Sequence, residues 1–272
     1  MTYVEVDIPA SAEAQEVLIA LLSHIGYEGF EQEETRLRAF VTETQFDEIA
    51  LAGLMETQGL RYSIAHLGEK NWNEEWEKNY RPVVIEGFCA VRAHFHEPIG
   101  GVMHELVITP KMSFGTGHHA TTFLMLKAMG PLPMQGRRVL DFGTGTGVLA
   151  ILAEQLGAEH VLAVDCDDWS ISNACENVGA NGCTRIAVEK ADTIAGLPGP
   201  FDVILANINK HVILRELRTM AQQLAKGGVI LLSGLLRDDL EDIENQAAAN
   251  NLSISERTTK ENWIALKTER MK

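Results

Sequence analysis

Between Tyr3 and Ile8 apolar and polar residues alternate, the period of a strand with one buried face. Val17, Leu18, Leu21, Leu22 and Ile25 then recur at helical spacing, which predicts a helix buried along that stripe and stopped by Gly26. "GFEQEE" and "RLRAFVT" predict a polar, twisted hairpin. A second helix is expected with Phe46, Ile49, Gly53 and Leu54 on one face, entered through Thr44-x-x-Asp47 as a variant capping box. "LRYSIAHL" reads as a fourth strand. The order βαββαβ over residues 1–66 is the ferredoxin-like plan, a small α+β domain. In "EKNWNEEWEKNYRP" Trp72, Trp76 and Tyr80 fall four apart, and Pro82 closes the run. A short connecting helix is expected there, within a linker over residues 67–82.

From Val83 the pattern changes. "VVIEGFCAVRA" and "HELVITP" predict strands, and "TTFLMLKAM" predicts a helix ending at Gly130-Pro131. After it strands and helices alternate. The strands are "RRVLDF", "HVLAVD", "IAVEKA", "FDVILAN", "GVILLSGL" and a closing pair around "LSISERTT" and "WIALKTE". Several are unbroken apolar runs, as in strands covered on both faces. Residues 83–272 therefore predict an α/β domain with a doubly wound, Rossmann-like parallel sheet and an antiparallel C-terminal edge.

A chain of 272 residues, 46% hydrophobic, suits two domains. No run of eighteen apolar residues suggests a membrane span. The first residues show neither a basic start nor an apolar signal core, so no export signal is expected. Cys89, Cys166, Cys175 and Cys183 form no C-x-x-C pair and fit a reduced, cytoplasmic setting. The net charge of −15 disfavours nucleic acid as a direct partner. Residues 1–66 carry twelve carboxylates against Arg36, Arg38 and Arg61, a net of −9. That surface would be solvated or would attract a basic protein.

Two loops share the letters FGTG: "MSFGTGHHATT" from Met112 to Thr122, and "DFGTGTG" from Asp141 to Gly147. The second lies where a strand meets a helix. Gly143 and Gly145 match the first two glycines of the dinucleotide fingerprint, but its sixth position is Val148. That weakens a pyrophosphate reading and leaves S-adenosylmethionine as the other candidate. Its carboxylate suits a helix N-terminus, and its adenosine can lie over bare glycine backbone. Asp165 ends the next strand, twenty-two residues after Gly143, where a carboxylate accepts ribose hydroxyls in either cofactor class. Asp192 ends the third strand and could accept an adenine amino group. Asn207 ends the fourth and offers its amide to the reacting centre.

Together "MSFGTGHHATT", "DFGTGTG", "AVDCDD", "NACENVGANG" and "ANIN" closely resemble the ribosomal protein L11 methyltransferases, the PrmA type. The resemblance spans the chain, including the acidic domain and the Trp-bearing linker. The glycine loop and Asp165 are generic to class I methyltransferases, while F-G-T-G-x-H-x-T-T is specific. The resemblance implies that Thr122, Gly143, Asp165 and Asn207 contact S-adenosylmethionine. It makes the second FGTG the cofactor loop and the first a lid entering a helix. It implies methylation of lysine side chains and an N-terminal α-amine of a large-subunit ribosomal protein. Asn207, at its strand end, is expected to be catalytic by orienting the neutral amine, and the charge of residues 1–66 makes them the expected docking domain for a basic substrate. A monomer is the default. The family usually has Thr-His-Pro at His118-His119-Ala120 and Leu at Asn209, so the lid and the acceptor pocket differ here. His94, His96, His118 and His119 have no carboxylate or Cys spaced to complete a metal site, and no metal is expected. Three alternatives stay open: a nicotinamide-dependent oxidoreductase, a non-catalytic ribosome-associated factor, and a methyltransferase of another protein or small-molecule amine.

Overall fold

The computed structural model describes residues 2–67, 81–109, 115 and 117–271. The linker carrying Trp72, Trp76 and Tyr80, and most of the first FGTG loop, lie outside them. The chain divides into two compact units, Met1–Asn79 and Tyr80–Lys272.

The first unit runs β1 (Tyr3–Pro9), α1 (Ala12–His24), β2 (Gly29–Gln32), β3 (Arg36–Thr42), α2 (Glu48–Gln58) and β4 (Ser63–Leu67). Its sheet has the order β2-β3-β1-β4, with every pair antiparallel, which is the ferredoxin-like arrangement. Period-two burial is strict: Val4, Val6 and Ile8 on β1 and Leu37, Ala39 and Val41 on β3 are buried. They pack with Leu18 and Leu22 of α1 and Leu51 and Met55 of α2 in one apolar cluster. Both helices turn differently from the sequence reading. Val17 is 55% exposed, and the α1 stripe is Leu18 and Leu22, with Gln15 buried beside them. Gln15 is tolerated there because its amide donates to the carbonyls of Ala10 and Glu33 at 3.0 and 2.8 Å. In α2, Asp47 is itself the N-cap, accepting from the Ile49 and Ala50 amides, rather than the third residue of a capping box. The helix therefore starts later and buries Leu51 and Met55, leaving Ile49 86% exposed.

The second unit opens with a small sheet, β5 (Val83–Ile85), β6 (Cys89–Arg92) and β7 (His104–Val107), in which β6 and β7 are parallel. Then come α3 (Ala120–Met129), β8 (Arg138–Phe142), α4 (Val148–Gln155), β9 (His160–Asp165), α5 (Asp168–Ala180), β10 (Ile186–Lys190) and β11 (Phe201–Asn207). The chain closes with α6 (Lys210–Gln223), β12 (Leu224–Leu236), α7 (Leu240–Ala249), β13 (Leu252–Lys260) and β14 (Trp263–Arg270). The seven-stranded sheet has the order β10-β9-β8-β11-β12-β14-β13. The first five strands are parallel, and β14 and β13 form the antiparallel edge the sequence predicts. Apolar clusters cover both faces, one joining β8, β9 and β11 to α3 and α4, the other joining them to α6 and α7. The continuous apolar strands have this cause. Strand order reverses between β8 and β11, and a crevice opens at that point beyond the carboxyl ends of the strands.

Candidate active site

The turn from β8 to α4 builds one wall of the crevice. Gly143, Gly145 and Gly147 all have positive φ, the left-handed region that glycine reaches without strain. Gly147 is the N-cap of α4, which is why the sequence tolerates Val148 in the sixth position. Gly143 has a second constraint: a Cβ there would collide with the Ile208 side chain, just past the end of β11. The Gly143 and Thr144 amides donate to the Val164 carbonyl at 2.8 and 3.0 Å, pulling the turn over β9.

Beneath this turn lies Asp141, fully buried on β8. One carboxylate oxygen accepts from the Thr144 hydroxyl at 2.6 Å and the Ala150 amide at 3.2 Å, so it ties the turn to the first turn of α4. The other oxygen has no hydrogen-bond partner. Burial pushes the carboxyl from 3.8 up to about 7; bonds from Thr144 and Ala150 pull it down, and the charge of Asp165 adds to the rise. Sequence reasoning placed Asp141 in the loop motif without giving it this work.

Asp165 stands at the end of β9, part-exposed. It accepts from the Gly145 amide at 2.9 Å and the Asp167 amide at 3.1 Å, one on each oxygen. Each carboxylate oxygen has capacity for a second bond, so both remain able to accept from a ligand's hydroxyls.

At the end of β11, Asn207 donates from Nδ2 to the Thr122 hydroxyl at 3.2 Å. Its Oδ1 is buried and has no partner among the described residues. A buried orphan carbonyl costs on the order of 1–3 kcal/mol, so it marks a place where a donor belongs. Thr122 is fully buried and does not line the crevice; it sits behind Asn207 and fixes the direction of that amide.

The crevice has a volume of about 580 Å³. Gly143, Gly145, Asp165, Asp192 and Asn207 all line it, so five of the six positions singled out in the sequence meet at one cavity. Thr121 lines it in place of its neighbour Thr122. His119, which the sequence marked only as part of the lid motif, also lines the wall, with Trp263 and Arg215, which it did not single out. His119 caps α3, its Nδ1 lying 2.7 Å from the Thr121 hydroxyl, and its ring meets Trp263 edge-on at 4.7 Å. Arg215 donates to the Asp192 carbonyl at 2.8 Å and to Glu216. Asn209 lines the crevice and also caps α6, accepting from the Val212 amide at 3.1 Å. His118 is exposed, its Nε2 lying 2.6 Å from the Arg81 carbonyl.

The charges in this lining sort its possible ligands. The described lining carries two carboxylates, Asp165 and Asp192, and one guanidinium, Arg215. A pyrophosphate would lie against carboxylates with a single cation to offset it. A sulfonium carrying an ammonium group would be drawn to the same lining. Adenine and ribose fit a wall that combines Phe142, Ala191 and Val212 with strand-end carboxylates.

The profile of the family described as "Ribosomal protein L11 methyltransferase (PrmA)" matches residues 27–271. The chain belongs to this family. A ribosomal protein L11 methyltransferase of Porphyromonas gingivalis is 43% identical, covering 93% of this chain and 90% of that protein. One of Bacteroides fragilis is 35% identical with 95% of each covered. The crystal structure of ribosomal protein L11 methylase from Lactobacillus delbrueckii subsp. bulgaricus superposes with a TM-score of 0.67 at 31% identity, covering 71% of this chain and all of that one. A methyltransferase of Pyrococcus furiosus, 21% identical with a TM-score of 0.51, shares the fold. The chain is a methyltransferase, and its relatives support S-adenosylmethionine as the methyl donor. Among the described residues, no three His, Cys, Asp or Glu side chains are grouped to hold a metal, and no helix is long and apolar enough to cross a membrane. All four cysteines are free.

Proposed function

We propose that this protein transfers methyl groups from S-adenosylmethionine to amines of ribosomal protein L11, on lysine side chains and the N-terminal α-amine. The observation that carries the reading is the unpartnered carbonyl of Asn207, beside the glycine turn in a crevice that Asp165 and Asp192 also line. Gly143, Gly145, Asp165 and Asp192 hold the donor, and Thr121 lines the wall while Thr122 braces Asn207 from behind. S-adenosylmethionine, when bound, supplies a methyl group already activated by its sulfonium. The protein's work is therefore position and exclusion of water. A lysine ammonium must first lose its proton, at a cost of about 4–5 kcal/mol at pH 7, whereas an α-amine costs about 1. Asn207 Oδ1 accepts a hydrogen bond from the neutral amine and aims its lone pair, and water takes the proton. Thr122 locks the amide so that the carbonyl faces the acceptor.

Ten of the twelve carboxylates in residues 1–66 are exposed. This acidic unit is proposed as the docking surface for the basic substrate, so that binding energy away from the reacting centre positions the amine. The protein is proposed to act as a cytoplasmic monomer without direct nucleic-acid contact. Incubation of the full chain with ribosomal protein L11 and methyl-labelled donor tests the assignment. Label is expected on lysine and α-amine nitrogens. Donor binding without transfer to L11 would leave a non-catalytic factor or another acceptor, and binding of NAD in preference to S-adenosylhomocysteine would refute the donor.

A further inference from the structure

Helix α5 carries an asparagine ladder that the chemistry above does not use. Asn181, its C-cap, accepts from the Val107 amide at 2.9 Å and donates to the Val107 carbonyl at 2.7 Å. One helical turn back, Asn177 accepts from the Thr109 amide at 2.9 Å. Four residues of helix rise about 6 Å, and two residues of extended chain span about 6.6 Å. The two repeats stay in step, so the open edge of β7 and the residues after it are paired by side chains instead of a strand.

Asn177, unlike Asn181, also reaches the glycine turn. Its Nδ2 also donates to the backbone carbonyl of Thr146, inside the glycine turn, at 2.9 Å. Thr146 in turn donates its hydroxyl to the Gly115 carbonyl at 2.7 Å. Asn177 is fully buried, and so is its bond to the Thr146 carbonyl. Thr109, just before the first FGTG segment, and Gly115, within it, stand on one side of this chain of contacts, and the cofactor turn stands on the other. We propose that Asn177 is a positioning residue for the donor site, holding the glycine turn in register with the segment that enters the first FGTG loop. The assignment rests on the methyl-donor reading of the cavity.

Asn177→Asp separates the two halves. Assayed at alkaline pH, where the buried carboxyl is ionised, the side chain still accepts from Thr109 but offers no donor to Thr146. The fold has room for it, because Asn173 Nδ2 has no partner and can turn over to donate to the new oxygen. Asn181→Asp is the matched control: it loses donors to Val107 and to the Asn177 carbonyl but touches nothing in the glycine turn. Calorimetry with S-adenosylhomocysteine and steady-state kinetics on both full-length variants read the difference. Asn177→Asp is expected to raise the dissociation constant and the donor KM about tenfold with kcat within threefold. Asn181→Asp should lower the melting temperature similarly with the donor constants unchanged. Thr146→Val, which removes the hydroxyl to Gly115, should weaken donor binding severalfold and serves if Asn177→Asp does not fold. Equal donor constants in wild type and Asn177→Asp, or equal weakening by Asn181→Asp, would overturn the proposal. A wild-type protein that fails to bind S-adenosylhomocysteine would instead overturn the donor reading beneath it.

Discussion

Replacing Asp141 by Asn should change how stability depends on pH. Burial holds the Asp141 carboxyl at about 7, against 3.8 unperturbed. Between those values the native protein keeps a proton that the unfolded chain has released. Stability therefore falls as pH rises from about 4 to about 7 and levels off above. At about 1.4 kcal/mol per pH unit, the whole effect is on the order of 4 kcal/mol, of which about 2–3 kcal/mol falls between pH 5 and pH 8. The amide mimics the protonated acid. Its oxygen can accept from Thr144 and Ala150, and its nitrogen replaces the oxygen that has no partner. Urea unfolding of both proteins at intervals from pH 5 to pH 8 is the assay, since the other titrating groups cancel in the difference. Wild type should lose about 2–3 kcal/mol relative to Asp141→Asn over that range. Parallel curves would refute the argument that this carboxyl is raised by burial.

Four other outcomes are expected. Asp165→Ala loses the acceptor for the Gly145 amide and for the donor's hydroxyls, so calorimetry should show at least tenfold weaker S-adenosylhomocysteine binding; charge-assisted bonds of about 1.5–3 kcal/mol each set that size. Gly143→Ala should abolish donor binding through both its positive φ and the collision with Ile208, and adding Ile208→Ala should restore only part of it, because the backbone conformation still disfavours a side chain. His118→Thr with Ala120→Pro should fold and stay active with altered donor exchange measured by stopped flow; complete loss of activity in a folded protein would give His118 a chemical role. Raising salt from 50 to 300 mM should slow methylation of L11 while leaving S-adenosylhomocysteine affinity within about twofold, because the screening length of exposed charges falls from about 14 to about 6 Å.

Much of this architecture is legible in the sequence because burial dictates pattern directly. Strands β8, β9 and β11 read as apolar runs since helices cover both their faces, and β1 alternates since only one of its faces is covered. Asp165, Asp192 and Asn207 are legible as part of the crevice lining because strands of a parallel sheet end there. The short helices are less legible. In α2 the capping choice of Asp47 moves the buried face to Leu51 and Met55, and hydrophobic spacing alone does not register that shift. Thr121 and Thr122 are adjacent in sequence, and only the packing of α3 decides that one faces the cavity and the other braces Asn207. Trp263 and Arg215 reach the site from β14 and α6, and no local motif marks them. The ladder from Asn177 to Thr109 joins residues sixty-eight apart and has no signature beyond asparagines four residues apart.

Asn207 is proposed to present a methyl acceptor to the donor in this crevice, and the most direct test is intact-mass analysis of ribosomal protein L11 after incubation with S-adenosylmethionine and either wild type or Asn207→Ala, at concentrations that saturate both with donor. Wild type should raise the mass of L11 in steps of one methyl group. Asn207→Ala should bind S-adenosylhomocysteine within a few fold of wild type and leave L11 almost unmodified. Methylation by the variant at a rate near that of wild type would contradict the account.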